Sequence, residues 1–211
     1  MNIILRYIFF NFFVRLIVNI VLGINVRNRK KLPDKGPAII VANHNSHLDT
    51  MVLMTILSRQ ALKIVRPVAA MDYFLKNPLL AWFSQKIIRI IPLRRDIRHV
   101  KEDIFAGCYD ALKNNDILIF FPEGSRGEPE KMSAFKSGIS RIAEQMPLVA
   151  ITPVFMQGLG KALPKGEAIL VPFFCDVFIG DSFQWTGDRA SFMDTLENHM
   201  AALAKEGAYL Q

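Results

Sequence analysis

Cysteine is nearly absent, with Cys108 and Cys175 the two in 211 residues. Two distant thiols build no disulfide framework and offer no metal-ligand spacing. A cystine-stapled secreted scaffold and a cysteine-based zinc site are therefore excluded. Acidic residues are the minority charge. Lys and Arg number 26 against 19 Asp and Glu, a net of +7, so partners of negative charge are favoured. The signatures of nucleic-acid modules are missing too: no zinc-finger spacing, no aromatic RNA-binding signature and no basic zipper. The partner implied is a lipid surface or a phosphorylated small molecule, and not nucleic acid. No internal repeat and no low-complexity tract interrupts the chain.

What is abundant is apolar. Hydrophobic residues make up 51%, and 16 of the 211 are phenylalanine. Residues 1–24 are nearly all apolar, broken by Arg6, Asn11, Arg15 and Asn19. The last three recur every fourth position and form one slowly drifting stripe on a helix. Such a helix is roughly 33–36 Å long, enough to cross a bilayer. A central arginine, however, costs roughly 2.5–3.5 kcal/mol on insertion scales. The expectation is a helix lying in or dipping into one leaflet, its stripe facing water or the folded domain. A cleaved signal peptide does not fit, because no small-x-small site follows and Arg15 interrupts the apolar region. Arg27-Asn28-Arg29-Lys30-Lys31, with Pro33 and Pro37, then reads as a basic linker suited to lipid headgroups. The expected division is a membrane-associating helix at 1–26, the linker at 27–36 and a folded domain at 37–211. A chain beginning near Lys31 is expected to fold and to lose membrane association.

Beyond the linker, β-branched runs alternate with helical ones. Strands are expected at Ile39–Val41, Ile64–Ala70, Ile87–Leu93, Asp116–Phe121, Leu148–Phe155 and Ala168–Ile179. Helices are expected near 48–57, 73–85, 98–113, 137–145 and 188–205. Pro67 marks its strand as an edge or an irregularity. The apolar helix near 73–85 reads equally as core or as a second membrane contact. The class is α/β: a mostly parallel sheet flanked by helices, preceded by the N-terminal membrane-associating helix.

Two loops carry the chemistry. After Ile39–Val41 comes Asn43-His44-Asn45-Ser46-His47-Leu48-Asp49, a strand end feeding a helix, which is where open α/β sheets place ligands. Ser46 suits a helix cap, with Asp49 three residues on. Across that corner the Asp49 carboxylate can take the His44 Nδ1–H and leave Nε2 as a base. The plainer reading, a capping Asp and an ordinary loop His, has equal weight on the pair alone. His47, three residues from His44, lacks a third partner for a metal. The second loop, after Asp116–Phe121, is Pro122-Glu123-Gly124-Ser125-Arg126-Gly127. A covalent Ser125 enzyme is disfavoured, because the glycine two before the serine that a nucleophile elbow requires is absent.

Asn-His-x-Ser-x-x-Asp followed by Phe-Pro-Glu-Gly-Ser-Arg resembles the glycerolipid acyltransferases of the 1-acylglycerol-3-phosphate (lysophosphatidic acid) type, over roughly residues 36–160. The resemblance implies an O-acyltransferase. It moves a fatty acyl group from acyl-CoA or acyl-carrier protein to the free hydroxyl of a lysophospholipid, giving phosphatidic acid. His44 is then the base and Asp49 its partner, with no covalent intermediate, no metal and no cofactor beyond the thioester co-substrate. Arg95, at the end of an apolar run, and Arg126 are implied as the clamp on the acceptor phosphate. Glu123 and Gly124 shape the acceptor site, with Ser125, Asn43 and Ser46 beside them. Arg94 stands where the family often has an acidic residue, which opens the alternative of another lipid or hydroxylated acceptor. A non-enzymatic lipid-binding protein is the third reading, and the intact His44, Asp49, Glu123 and Arg126 set argues against it. The implied location is a membrane surface, on the cytoplasmic face.

Overall fold

A computed structural model of the 211-residue chain describes residues 2–46, 48–71, 77–94, 103–128, 131–162 and 173–208. A helical run opens it, α-helical over Asn2–Ile8 (α1), π-helical over Phe9–Val14 and α-helical again over Arg15–Val21 (α2). Strand β1 (Leu22–Arg27) follows without a loop. Then come β2 (Ala38–Ala42), α3 (Leu48–Ile56), α4 (Arg59–Ile64), β3 (Val65–Ala70) and α5 (Pro78–Phe83). The chain continues through β4 (Ile91–Leu93), α6 (Ala106–Lys113), β5 (Ile117–Phe120) and α7 (Gly138–Gln145). It closes with β6 (Ala150–Gln157), α8 (Leu159–Ala162), β7 (Phe173–Ile179) and α9 (Arg189–Ala208).

The seven strands form one sheet in the order β1-β7-β6-β2-β5-β3-β4. Every pairing is parallel except β6 with β7. The expected mostly parallel α/β sheet is therefore present. β2 is buried at all five positions, as a central strand covered on both faces should be. Its side chains alternate between two cores. Ala38, Ile40 and Ala42 pack with the N-terminal helix, α3 and α4. Ile39 and Val41 pack with Cys108 and Leu112 of α6, Ile139 and Ile142 of α7, and Phe192 and Leu196 of α9. This is the period of two in the Ala38–Ala42 run expressed as layers.

Two expectations are corrected, and a third, for Pro67, is decided between its alternatives. Leu22–Arg27 is not the tail of a helix but a strand, in parallel register with Phe173–Phe178. The apolar run Ile87–Leu93 is a strand only over Ile91–Leu93, because Ser84–Ile88 closes as a π turn and Arg89 sits at φ 61. Pro67 lies inside the sheet, not at its edge. Val65–Pro67 pairs with β5 and Val68–Ala70 with β4, so the strand changes partner just after the residue that has no N–H to give.

The N-terminal helix is part of the core. Phe10, Val14, Val18 and then Leu22 recur every four residues and are buried in the same cluster as β2. A π turn holds more residues than an α turn, which lets a spacing of four stay on one face through Phe9–Val14. Arg6 shares the buried side. Its Nη2 donates to the Val65 carbonyl at 2.8 Å, and burial, aided by the nearby Arg89, pulls its pKa down to about 9. The opposite side stays bare: Ile4, Ile8, Phe12, Leu16 and Ile20 are 42–73% exposed. α5 adjoins this face through an edge-on contact of Phe83 with Phe9, ring centroids 5.0 Å apart, and exposes Leu79 and Trp82. No helix among the described residues is long and apolar enough to cross a membrane.

This packing argues against the expectation that a chain beginning near Lys31 folds by itself. It lacks an edge strand and four core side chains. Phe10→Ala in the full chain is expected to cost about 3–5 kcal/mol, the usual loss for a buried phenylalanine. Urea unfolding followed by circular dichroism checks both. A cooperative transition of wild-type midpoint in the shortened chain would show the helix to be dispensable.

Candidate active site

Parallel pairing of β2 with β5 aligns Val41 with Phe120, so the two strands end together and their loops emerge side by side. The chain places consecutive strands on either side of β2, which makes this edge a crevice of the kind where α/β proteins hold ligands. Residues separated by about eighty positions meet here. The His44 N–H donates to Glu123 Oε1 at 2.8 Å, and the Gly127 N–H returns a bond to the His44 carbonyl at 2.9 Å.

Asp49 sits in the first turn of α3, where a carboxylate complements the helix dipole. It is 1% exposed, and its Oδ2 accepts three hydrogen bonds: from Asn45 N–H at 2.7 Å, Ser46 N–H at 2.9 Å and His44 Nδ1 at 2.9 Å. The capping and the histidine-orienting readings are therefore the same geometry. Ser46 supplies the other half of the cap, its Oγ accepting the Leu48 N–H at 3.3 Å. A carboxylate with two N–H donors already on Oδ2 accepts from the imidazole, so Nδ1 carries a proton and, in the neutral ring, Nε2 carries the lone pair. The ring is held flat against Phe121, centroids 4.1 Å apart and planes 20° apart, while 20% of the side chain remains open. Such a group can take a proton from a hydroxyl placed before it.

Glu123 is 2% exposed and uses both carboxylate oxygens on backbone: Oε1 on His44, Oε2 on the Ser133 N–H at 3.1 Å. Burial raises its pKa above 4.5, against the pull of these two bonds. It thereby ties the β2 loop, its own loop and the irregular segment 131–136 into one unit.

The remaining expected residues fall into three groups. Gly124 and Ser125 are exposed on the β5 loop, and Arg126 is half-buried beside them. Asn43 is turned away from the crevice. Its side chain is 1% exposed and bridges to β6, donating to the Met156 carbonyl at 2.8 Å and accepting the Met156 N–H at 2.7 Å. Arg94 is exposed directly after β4, whose end lies on the same edge of the sheet two strands beyond β5. Arg95 and His47 lie outside the described residues. Among those described, no cluster of three His, Cys, Asp or Glu side chains suits a metal ion. Cys108 and Cys175 are both buried, and burial pushes the Cys108 thiol up to about 12, far from thiolate.

Two neighbours of the site had no role assigned to them from the sequence. Phe121 is the first residue beyond β5, and the strand register places it against His44. Lys136 folds back over Gly124. A side chain at Gly124 would meet only the movable end of Lys136, Nζ at 2.9 Å from its first carbon, but φ is +71, so the backbone favours glycine. The β2–β5 register could have indicated Phe121. Lys136 arrives through an irregular segment that has no periodicity to follow.

A family model described as Acyltransferase matches residues 23–157. The chain is 30% identical over 149 residues to a chloroplastic 1-acyl-sn-glycerol-3-phosphate acyltransferase, LPAT1, of Arabidopsis thaliana, covering 70% of this chain and 40% of that protein. It is 28% identical over 148 residues to the chloroplastic enzyme of the same description, BAT2, from Brassica napus, covering 69% of this chain and 41% of that protein. The chain thus spans about two fifths of the length of these curated relatives. The crystal structure of the 1-acyl-sn-glycerophosphate (LPA) acyltransferase PlsC from Thermotoga maritima shares the fold, with a TM-score of 0.77 over 95% of this chain and 78% of that one, at 21% identity. A matched region that begins in β1, runs through both site loops and ends with β6 takes in the whole crevice, and the chain belongs to the acyltransferase family.

Proposed function

We propose that the chain transfers a fatty acyl group from a thioester, acyl-CoA or acyl-carrier protein, to the free hydroxyl of 1-acylglycerol-3-phosphate, giving phosphatidic acid. The observation that carries this reading is the 2.9 Å contact between His44 Nδ1 and Asp49 Oδ2 at the end of the central strand. His44 Nε2 removes the proton as the acceptor hydroxyl attacks the thioester carbonyl. Asp49 holds the tautomer and stabilises the imidazolium that forms. The proton then passes to the departing thiolate, so no acyl-enzyme is needed. Arg126 and Arg95 bind the acceptor phosphate, and Gly124 and Ser125 line its path. The relatives described as 1-acyl-sn-glycerol-3-phosphate acyltransferases support this acceptor. The exposed stripe Ile4–Ile20 with Leu79 and Trp82 supports association with one leaflet of a bilayer.

His44→Ala is expected to lower kcat by about 10²–10⁴-fold while the melting temperature holds. Asp49→Asn should be comparably severe, because an amide can face the ring with its NH2 and favour the wrong tautomer. Ser125→Ala should keep most activity. A folded His44→Ala protein turning over at wild-type rate would remove the proposed base. Arg126→Ala is expected to raise the acceptor KM by about tenfold or more and leave the donor KM nearly unchanged, the loss of a charge-assisted contact. An unchanged acceptor KM would place the phosphate elsewhere.

Glu123 gives a prediction in pH. With its folded pKa raised above 4.5, the native state keeps the proton longer than the unfolded chain does. The stability from this group is complete below the unfolded value and is lost as pH climbs through the folded one. Glu123→Gln, which cannot titrate, is expected to lack that fall. Paired urea titrations across this range, showing identical slopes for both proteins, would contradict the assignment.

A further inference from the structure

A second cationic site lies away from the His44 crevice, between the N-terminal helix and the α3–α4 corner. The cleft holds about 190 Å³ and is walled by Asn11, Arg15, Arg29, Thr55, Ser58 and Arg59 over an apolar floor. None of the residues that position His44 lines it. Asp49 stands at the start of α3 and Thr55 near its end, about 9 Å apart along the helix axis at 1.5 Å per residue.

The three arginines line one cleft, and among the described residues none has a carboxylate partner. The Arg15 Nη1 has a single long contact of 3.5 Å to Asn11 Oδ1. The Arg29 Nε donates to the Ile56 carbonyl at 2.9 Å, which fixes the stem and leaves its two terminal nitrogens unused. The Arg59 guanidinium lies over the Tyr7 ring, 5.6 Å from its centroid. Elsewhere in the same molecule basic side chains do find acids, as Arg66 and Arg89 do on Asp116 and Arg189 on Glu144. Three uncompensated guanidinium groups around one small cavity, with an amide and two hydroxyl side chains, suit a tetrahedral oxyanion in charge and in the kind of donors offered.

The position favours a lipid as its source. Asn11 and Arg15 occupy the helix flank between the buried row Phe10–Val14–Val18 and the bare row Ile8–Phe12–Leu16–Ile20. An acyl chain lying along the bare row would bring its own headgroup to the cleft. We propose that Arg15, Arg29 and Arg59 form a phosphate site, separate from the catalytic crevice, for the headgroup of an anionic phospholipid. The choice of a lipid rests on the proposed membrane association; the phosphate chemistry does not.

The test uses the full chain and an Arg29→Gln/Arg59→Gln variant, neither residue belonging to the proposed catalytic machinery. A Lys113→Gln/Lys205→Gln variant carries the same charge loss at exposed positions on other helices. Sedimentation with phosphatidylcholine vesicles containing phosphatidic acid is expected to weaken about tenfold or more for the arginine variant and little for the lysine one. Activity on micellar substrate should be retained by both, and Arg59→Gln alone, which removes one of the three cations, should show a smaller loss of the same kind. Equal weakening in both double variants means diffuse surface attraction and overturns the site. If the wild-type chain ignores vesicles, membrane association itself fails; inorganic phosphate then decides. A melting temperature raised by phosphate in wild type and not in the arginine variant assigns the site to free phosphate. No rise in either overturns it.

Discussion

One oxygen atom organises this molecule's chemistry. Asp49 Oδ2 accepts from the backbone of Asn45 and Ser46 and from the His44 ring, all within 2.9 Å, at 1% exposure. A carboxylate so buried is tolerable only when its charge is met by donors, and here the donors are the turn itself. The corner between β2 and α3 cannot relax without stripping that charge of partners. The histidine's orientation is therefore coupled to the start of the helix, and through β2 to the middle of the sheet.

Around that corner, the polar side chains divide into those that build and those that face outward. Asn43 bonds the corner to β6, and Glu123 bonds it to the β5 loop and to segment 131–136. Both are almost wholly enclosed. Their work is to hold three loops in one relative position, which is what a base requires if it is to meet a hydroxyl at bonding distance. Substitution of either should resemble loss of the proposed base in rate while differing in stability, since a buried group left without its partner destabilises the fold itself.

Much of this was legible because local rules and global architecture agree. The continuous apolar runs at Ile39–Val41 and Ile117–Phe120, a capping pair at Ser46 and Asp49, and glycine in the β5 loop each point to the structure found. What escaped was set by distant partners. Leu22–Arg27 follows an apolar helix without a breaker and becomes a strand because β7, some 150 residues later, offers it an edge. The N-terminal helix reads as a membrane segment from its composition. Only its packing separates the buried row from the bare one. The Asn11 and Arg15 stripe was visible as spacing, but the guanidinium groups that meet it come from Arg29 and Arg59, on other elements.

The direct passage from helix to strand at Val21–Leu22 has a thermodynamic consequence. The bare row Ile8, Phe12, Leu16 and Ile20 exists as a continuous surface only while the opposite row is packed in the core. Whatever binds that surface binds the folded chain and not the unfolded one. By mass action it adds to the free energy of folding as a ligand would. A bilayer occupying the row would be a component of the protein's stability, and lipid concentration would shift its unfolding midpoint in the way that metal shifts a zinc domain's.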